Sequence, residues 1–174
     1  MKTQPLTPVE VQRLLKACQG TDIIAQRDYA AVILALGSGL RRSALVKVAA
    51  VIERPSWVYL GVQATSIHPL NWAQTLPYRQ ALQALLQKDH IGFLFRSFSQ
   101  PRAIDNQRTV GKRLTADGLY KALSLRADQA GLSNFNLRQL RLTHQSWCAA
   151  LPPTCSLEDV WRVISETLEF KGNP

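Results

Sequence analysis

Cysteine is scarce in this sequence, and nothing about its arrangement suggests a use. Cys18, Cys148 and Cys155 form an odd set with no CxxC pair and no histidine at zinc-finger spacing. That inventory excludes a disulfide framework and a structural zinc site, and a reducing cytoplasm is the expected setting. Long apolar runs are missing too. The longest wholly apolar run is Tyr29 to Leu36, whereas a bilayer span needs about 20 residues. Met1-Lys2-Thr3-Gln4-Pro5 has no apolar segment behind it, so neither a signal peptide nor a membrane partner is expected. Walker, GxGxxG and HExxH motifs and Ser–His–Asp spacing are absent, as are internal repeats and low-complexity tracts. No cofactor or metal is implied.

Negative charge is the other shortage. Twelve Asp and Glu face 21 Lys and Arg, giving a formal net charge of +9. A domain this basic usually meets something acidic, with nucleic acid the leading candidate and a merely solvated basic surface the alternative. The excess is uneven. Arg102, Arg108, Lys112, Arg113, Lys121, Arg126, Arg138 and Arg141 stand against only Asp105, Asp117 and Asp128. Beyond Leu151 the balance reverses, with Glu158, Asp159, Glu166 and Glu169 against Arg162 and Lys171. A basic face in the middle of the domain and a mildly acidic last helix follow. Hydrophobic residues make up 46% and charged residues 19% of the 174 positions, which suits one globular domain over residues 1–174.

Periodicity and punctuation give the element order. Thr7-Pro8-Val9-Glu10 has the form of a capping box, starting a helix that runs to about Cys18. A second helix over Ile23–Leu36 is nearly all apolar in its second half, so it should be the central buried one, stopped by Gly37-Ser38-Gly39. Val48–Ile52, Trp57–Val62 and Ala64–His68 are short β-rich stretches, read as a small three-stranded antiparallel sheet. Helical spacing returns over Trp72–Gln87. Ile91–Phe95 is extended or a buried turn, and Ser97–Asn106 a polar loop. Thr115 caps a helix reaching Ala130 and ending at Gly131. Asn136–Leu151 is another helix, stopped by Pro152-Pro153, and Ser156 caps a last one to about Leu168. The fold class is mainly α with a small three-stranded antiparallel β-sheet. Trp57, Trp72, Trp147 and Trp161 are expected in the core.

Three stretches, in order, carry a resemblance. The first is Leu6-Thr7-Pro8-Val9-Glu10-Val11, then Arg27-Asp28-Tyr29, a buried helix, and Gly39-Leu40-Arg41-Arg42-Ser43-Ala44-Leu45. The second is the β-rich region that follows. The third is Leu114-Thr115, a helix, Ala130-Gly131-Leu132, and Arg138-Gln139-Leu140-Arg141-Leu142-Thr143. Together they resemble the catalytic domain of the tyrosine recombinases, the phage integrase family, over Leu6 to Leu168. The family carries T-G-L-R-x-S-E-L and later H-x-L-R-H-T. The resemblance places its two phosphate-gripping catalytic arginines on Arg41 and Arg141. Ser38 stands for the Thr, Ala44 for the Glu, Arg138 for the His and Leu142 for the residue after the second arginine.

The departures bear on chemistry. In the family the nucleophile is a tyrosine well after the second arginine, but the last tyrosine here is Tyr120. No lysine lies between Lys47 and Lys88, so the family's hairpin lysine has no counterpart; Gln63 sits near its place. The late L-G-H motif has no clear match, Ile164-Ser165-Glu166 being the nearest. The helical domain that completes the family's DNA clamp is not expected before residue 1.

Strand cleavage of this kind needs a phenol to attack phosphorus, two guanidinium groups to hold the non-bridging oxygens, and a lysine or histidine for the leaving oxygen's proton. Guanidinium suits the grip because it is planar, always charged and bidentate. Arg138 and Arg141 share one helix face and His144 lies close to it. Candidate DNA-binding residues are Arg41, Arg42, Arg113, Arg138, Arg141 and His144. The structural alternatives are a surface turn for Arg41 and Arg42, a solvated helix face for Arg138 and Arg141, and a core-edge histidine for His144. Three functions compete. The first is a recombinase-like pseudoenzyme of a mobile element, tied to DNA recombination or integration, that binds double-stranded DNA without cleaving it, alone or with an active recombinase or a second copy. The second is an active integrase with a nucleophile from another chain. The third is a helical protein-interaction module.

Overall fold

The computed structural model describes residues 3–50, 74–87, 92–100 and 108–150. Among them the chain is mainly helical, with two short antiparallel ladders. Helix α1 spans Pro8–Ala17. The Thr7 hydroxyl accepts from the Glu10 backbone N–H at 3.3 Å, and the Glu10 carboxylate accepts from the Thr7 N–H at 2.8 Å. This reciprocal cap satisfies two donors that a helix start otherwise leaves open. The helix turns Val11, Leu14 and Leu15 inward.

Helix α2, Ile23–Ser38, is the centre of the fold. Asp22 caps it through Ile24 N–H, and residues Ala30–Leu36 are all buried. It runs two residues past the expected end at Leu36 and stops at the last of the expected breakers, with Gly39 in the left-handed region at φ 62°, a conformation that costs a Cβ-bearing residue energy. A short helix, α3 (Arg42–Leu45), follows immediately; it was not evident from periodicity. Helices α4 (Leu76–Leu86), α5 (Ala116–Gln129) and α6 (Leu137–Ala149) all pack against α2. Thr115 caps α5. Asn136 and Gln139 form a second capping box at α6. The start of the described chain is tied to α6 by Leu6 N–H donating to the Thr143 hydroxyl at 2.8 Å.

Strand β1 (Ala49–Ala50) pairs antiparallel with β2 (Gly92–Phe93), and β3 (Arg96–Phe98) with β4 (Val110–Arg113). Of the expected three-stranded sheet, only the start of the first stretch is described; Trp57–Val62 and Ala64–His68 lie outside the described residues. So does the expected helix from Ser156. The reading of Ser97–Asn106 as a polar loop is corrected at its start. Ser97 and Phe98 belong to β3, held by pairing with β4 and by packing of Phe98 on the core. Of the four tryptophans only Trp147 is described, half-buried against the core. No helix among the described residues is long and apolar enough to cross a membrane.

A buried ionic clasp joins three elements. Arg27 and Asp28, on α2, are only 5% and 2% exposed. The Arg27 guanidinium donates to Asp28 Oδ1 at 2.9 and 2.6 Å and to the Arg96 carbonyl at 3.2 Å. Arg126 on α5 reaches the other carboxylate oxygen, Oδ2, at 3.0 Å. Both oxygens of Asp28 are thereby occupied. A buried charge persists only when partnered in this way.

Candidate phosphate-binding site

The turn after α2 sets the position of the first arginines. Gly39 reverses the chain, Leu40 packs against the core, and Arg41 occupies the N-cap position of α3 with an extended backbone and an exposed side chain. Arg42 begins α3. On the other side Asn136 caps α6, so Arg138 falls in its first turn and Arg141 one turn later on the same face. Between these segments lies a cavity of about 540 Å³. Arg41, Arg42, Arg138 and Arg141 all line it. Leu40, Leu137, Asn136 and Tyr120 complete its walls.

Four cations on one concavity repel one another, so their compensation matters. Arg42 pairs with Asp117 of α5 at 3.2 Å, both side chains at least half exposed. Among the described residues Arg41, Arg138 and Arg141 have no carboxylate partner. Three guanidinium groups with open donors on one concave surface are chemically suited to an oxyanion with several acceptor oxygens.

The other two candidates stand elsewhere. Arg113 lies at the end of β4, off the cavity, with its guanidinium carbon 4.8 Å from the centre of the Phe93 ring. His144 is half-buried and does not line the cavity. Its Nδ1 donates to the Leu36 carbonyl at 2.7 Å, which leaves Nε2 to accept the Cys148 thiol proton, Sγ at 3.5 Å. Burial holds its pKa below the ordinary 6.5, while the hydrogen bond to Leu36 pulls the other way. The ring also fills the space beside Gly39: a Cβ there would sit 2.5 Å from His144 Cδ2. His144 therefore shores up the turn carrying Arg41 and is not itself a wall of the site.

Sequence reasoning missed Tyr120. Its place on α5 off the buried stripe of Leu119, Leu123 and Ala127 marks it as outward-facing, but nothing in the sequence brings it beside Arg41. Among the described residues no group of three or more His, Cys, Asp or Glu could hold a metal ion. Cys18 is buried, with burial pushing its thiol pKa up to about 12, so it is an inert core thiol. No protein-family model matches this chain, and no curated protein matches its sequence.

Proposed function

We propose that this chain is a recombinase-like domain that binds double-stranded DNA by gripping backbone phosphate in the arginine cavity, and that it does not cut the strand by itself. One observation carries the reading. Arg41 and Arg141, far apart in sequence and matched separately to the two arginines of tyrosine recombinases, line the same cavity. A mainly helical domain with a small antiparallel β region between its helical parts agrees with that family's catalytic domain. Arg138, where the family has histidine, adds a third uncompensated cation.

Binding without cleavage follows from the composition of the walls. Attack on phosphorus needs a base for the nucleophile's proton and an acid for the leaving 5′ oxygen. The lining does hold one phenol, Tyr120, but among the described residues it holds no carboxylate, histidine or lysine to take that phenol's proton or to protonate the leaving oxygen, and guanidinium keeps its proton at any accessible pH. No tyrosine follows Arg141 within the 174 residues. A site so built is suited to holding an anion and lacks the base and acid that strand cleavage needs.

Two measurements on the full chain test this. Fluorescence anisotropy with a duplex should show binding at low salt that weakens steeply as salt rises, because neutralising phosphates releases counterions. A nicked suicide duplex should yield no protein–DNA adduct resistant to denaturation. No binding at low salt would favour the protein-interaction module. A trapped adduct would instead establish strand cleavage.

A further inference from the structure

The cavity is larger and chemically more varied than a phosphate grip requires. Its volume of about 540 Å³ falls in the range of whole small-molecule sites, roughly 300–1,000 Å³. Its walls are of two kinds. Arg41, Arg138 and Arg141 supply uncompensated positive charge. Tyr120, on α5, supplies an aromatic ring, with Leu137 of α6 as an apolar neighbour in the lining.

Tyr120 is itself unusual. It is one of the exposed large hydrophobics, at 37% exposure. Among the described residues its ring stacks on no other ring, and it makes no hydrogen bond or ion pair. The other described tyrosines, Tyr29 and Tyr78, are largely covered, and Tyr78 donates its hydroxyl to the Leu94 carbonyl. An exposed aromatic ring without a partner among the described residues, lining a cationic cavity, has a surface to offer. An intact duplex cannot use it, since its backbone presents only sugar and phosphate while the base faces are stacked inside. A nucleotide that has left the stack presents both phosphate and an open π-face.

We infer that the cavity takes up a single unstacked nucleotide, at a strand end or bulged from the duplex, with its phosphate on Arg41, Arg138 and Arg141 and its base stacked on Tyr120. This rests on the phosphate-gripping reading above and adds a ligand class to it: unpaired nucleotides in preference to continuous duplex. Stacking on an aromatic side chain tolerates any base, so the preference is for structure and not for sequence.

The test compares four probes against the full chain at one salt concentration. They are a blunt duplex, the same duplex with one 5′-phosphorylated unpaired nucleotide at its end, one with a single internal bulged nucleotide, and the end-overhang duplex with an abasic residue in place of the nucleotide. At least one unpaired probe should bind more tightly than the blunt duplex by about 5- to 150-fold, the range expected for one stacked base. The terminal and internal arms tell which source the cavity accepts. The abasic probe, which keeps the phosphate, should bind more weakly than its base-bearing counterpart by the stacking share. Tyr120→Ala should erase the preference, and Tyr120→Phe should keep it, because the ring and not the hydroxyl carries it. Equal binding of abasic and base-bearing probes, or a preference that survives Tyr120→Ala, would overturn the inference while leaving phosphate gripping intact. Failure of every probe to bind would instead remove the phosphate-gripping reading on which the inference rests.

Discussion

Two groups of arginines in this molecule serve opposite ends. Arg27 and Arg126 are turned inward on a single carboxylate, with both oxygens of Asp28 and the Arg96 carbonyl accepting from them. Arg41, Arg138 and Arg141 line one concavity with no acid beside them among the described residues. The chemistry of the side chain is identical. What differs is whether the fold supplies the counter-charge. Where it does, the guanidinium joins α2, α5 and β3 into one body. Where it does not, the donors remain open for an anion from outside. Arg42 stands between the two groups, half satisfied by Asp117.

The comparison breaks most easily at Asp28. Removing one partner of a buried ionic group leaves uncompensated charge, at a cost of about 3–5 kcal/mol. Asp28→Ala should therefore lower the unfolding free energy by that order, read from a urea titration. Arg141→Ala should leave the same titration within about 0.5 kcal/mol of the parent, as for a surface change away from any special contact. A variant pair with the reverse pattern would mean that the cavity arginines, and not the clasp, hold the fold.

The turn between the two groups gives the next effect. Gly39→Ala puts a Cβ into the left-handed region and against His144, a strained arrangement costing about 1–3 kcal/mol. It should also displace Arg41, so duplex affinity should fall along with stability. Affinity unchanged at reduced stability would separate the turn from the site.

His144 adds a dependence on pH. Its folded pKa lies below 6.5 because burial disfavours the charged ring. The unfolded chain then binds more protons than the folded one in the interval between the two values. The stability that His144 contributes is therefore complete above about pH 6.5 and is lost as pH falls through 6.5 toward the folded value. His144→Gln should flatten that segment of the stability–pH curve. A segment unchanged in the variant would assign it to another group.

The smallest effect belongs to Asp117. Exposed ion pairs contribute about 0–1 kcal/mol, so Asp117→Asn should barely alter stability. It should release Arg42 into the cavity and strengthen duplex binding slightly, most clearly at low salt. Weaker binding would mean that Asp117 orients Arg42 for the ligand.

The features legible in the sequence are those decided locally. Thr7-Pro8-Val9-Glu10, Thr115 and Gly39 act within one helical turn, and the helices they bound lie close to their expected places. The ladders were not legible, because β1 depends on residues beyond position 90 and β3 on residues beyond position 108. Charge counting overstated the number of open cations for the same reason. Arg108 and Arg126 counted toward a basic face, yet Arg108 pairs with Asp22 and Arg126 with Asp28, both distant in sequence. For the site, motif order pointed to Arg41 and Arg141, and helical spacing put Arg138 beside Arg141. Tyr120 escaped because the motifs left it outside, and only the packing of α5 against α3 brings it to the cavity.

The division between gripping and fastening arginines is tested most directly by the salt dependence of duplex binding. The logarithm of the dissociation constant, plotted against the logarithm of salt concentration, should be compared for the parent chain and for the triple variant Arg41→Ala, Arg138→Ala, Arg141→Ala. Each lost phosphate contact should make the slope shallower by about 1, so the variant's line should be flatter by roughly 3, with folding unchanged. Two parallel lines would mean that the cavity arginines do not touch DNA phosphate, and would contradict the central claim.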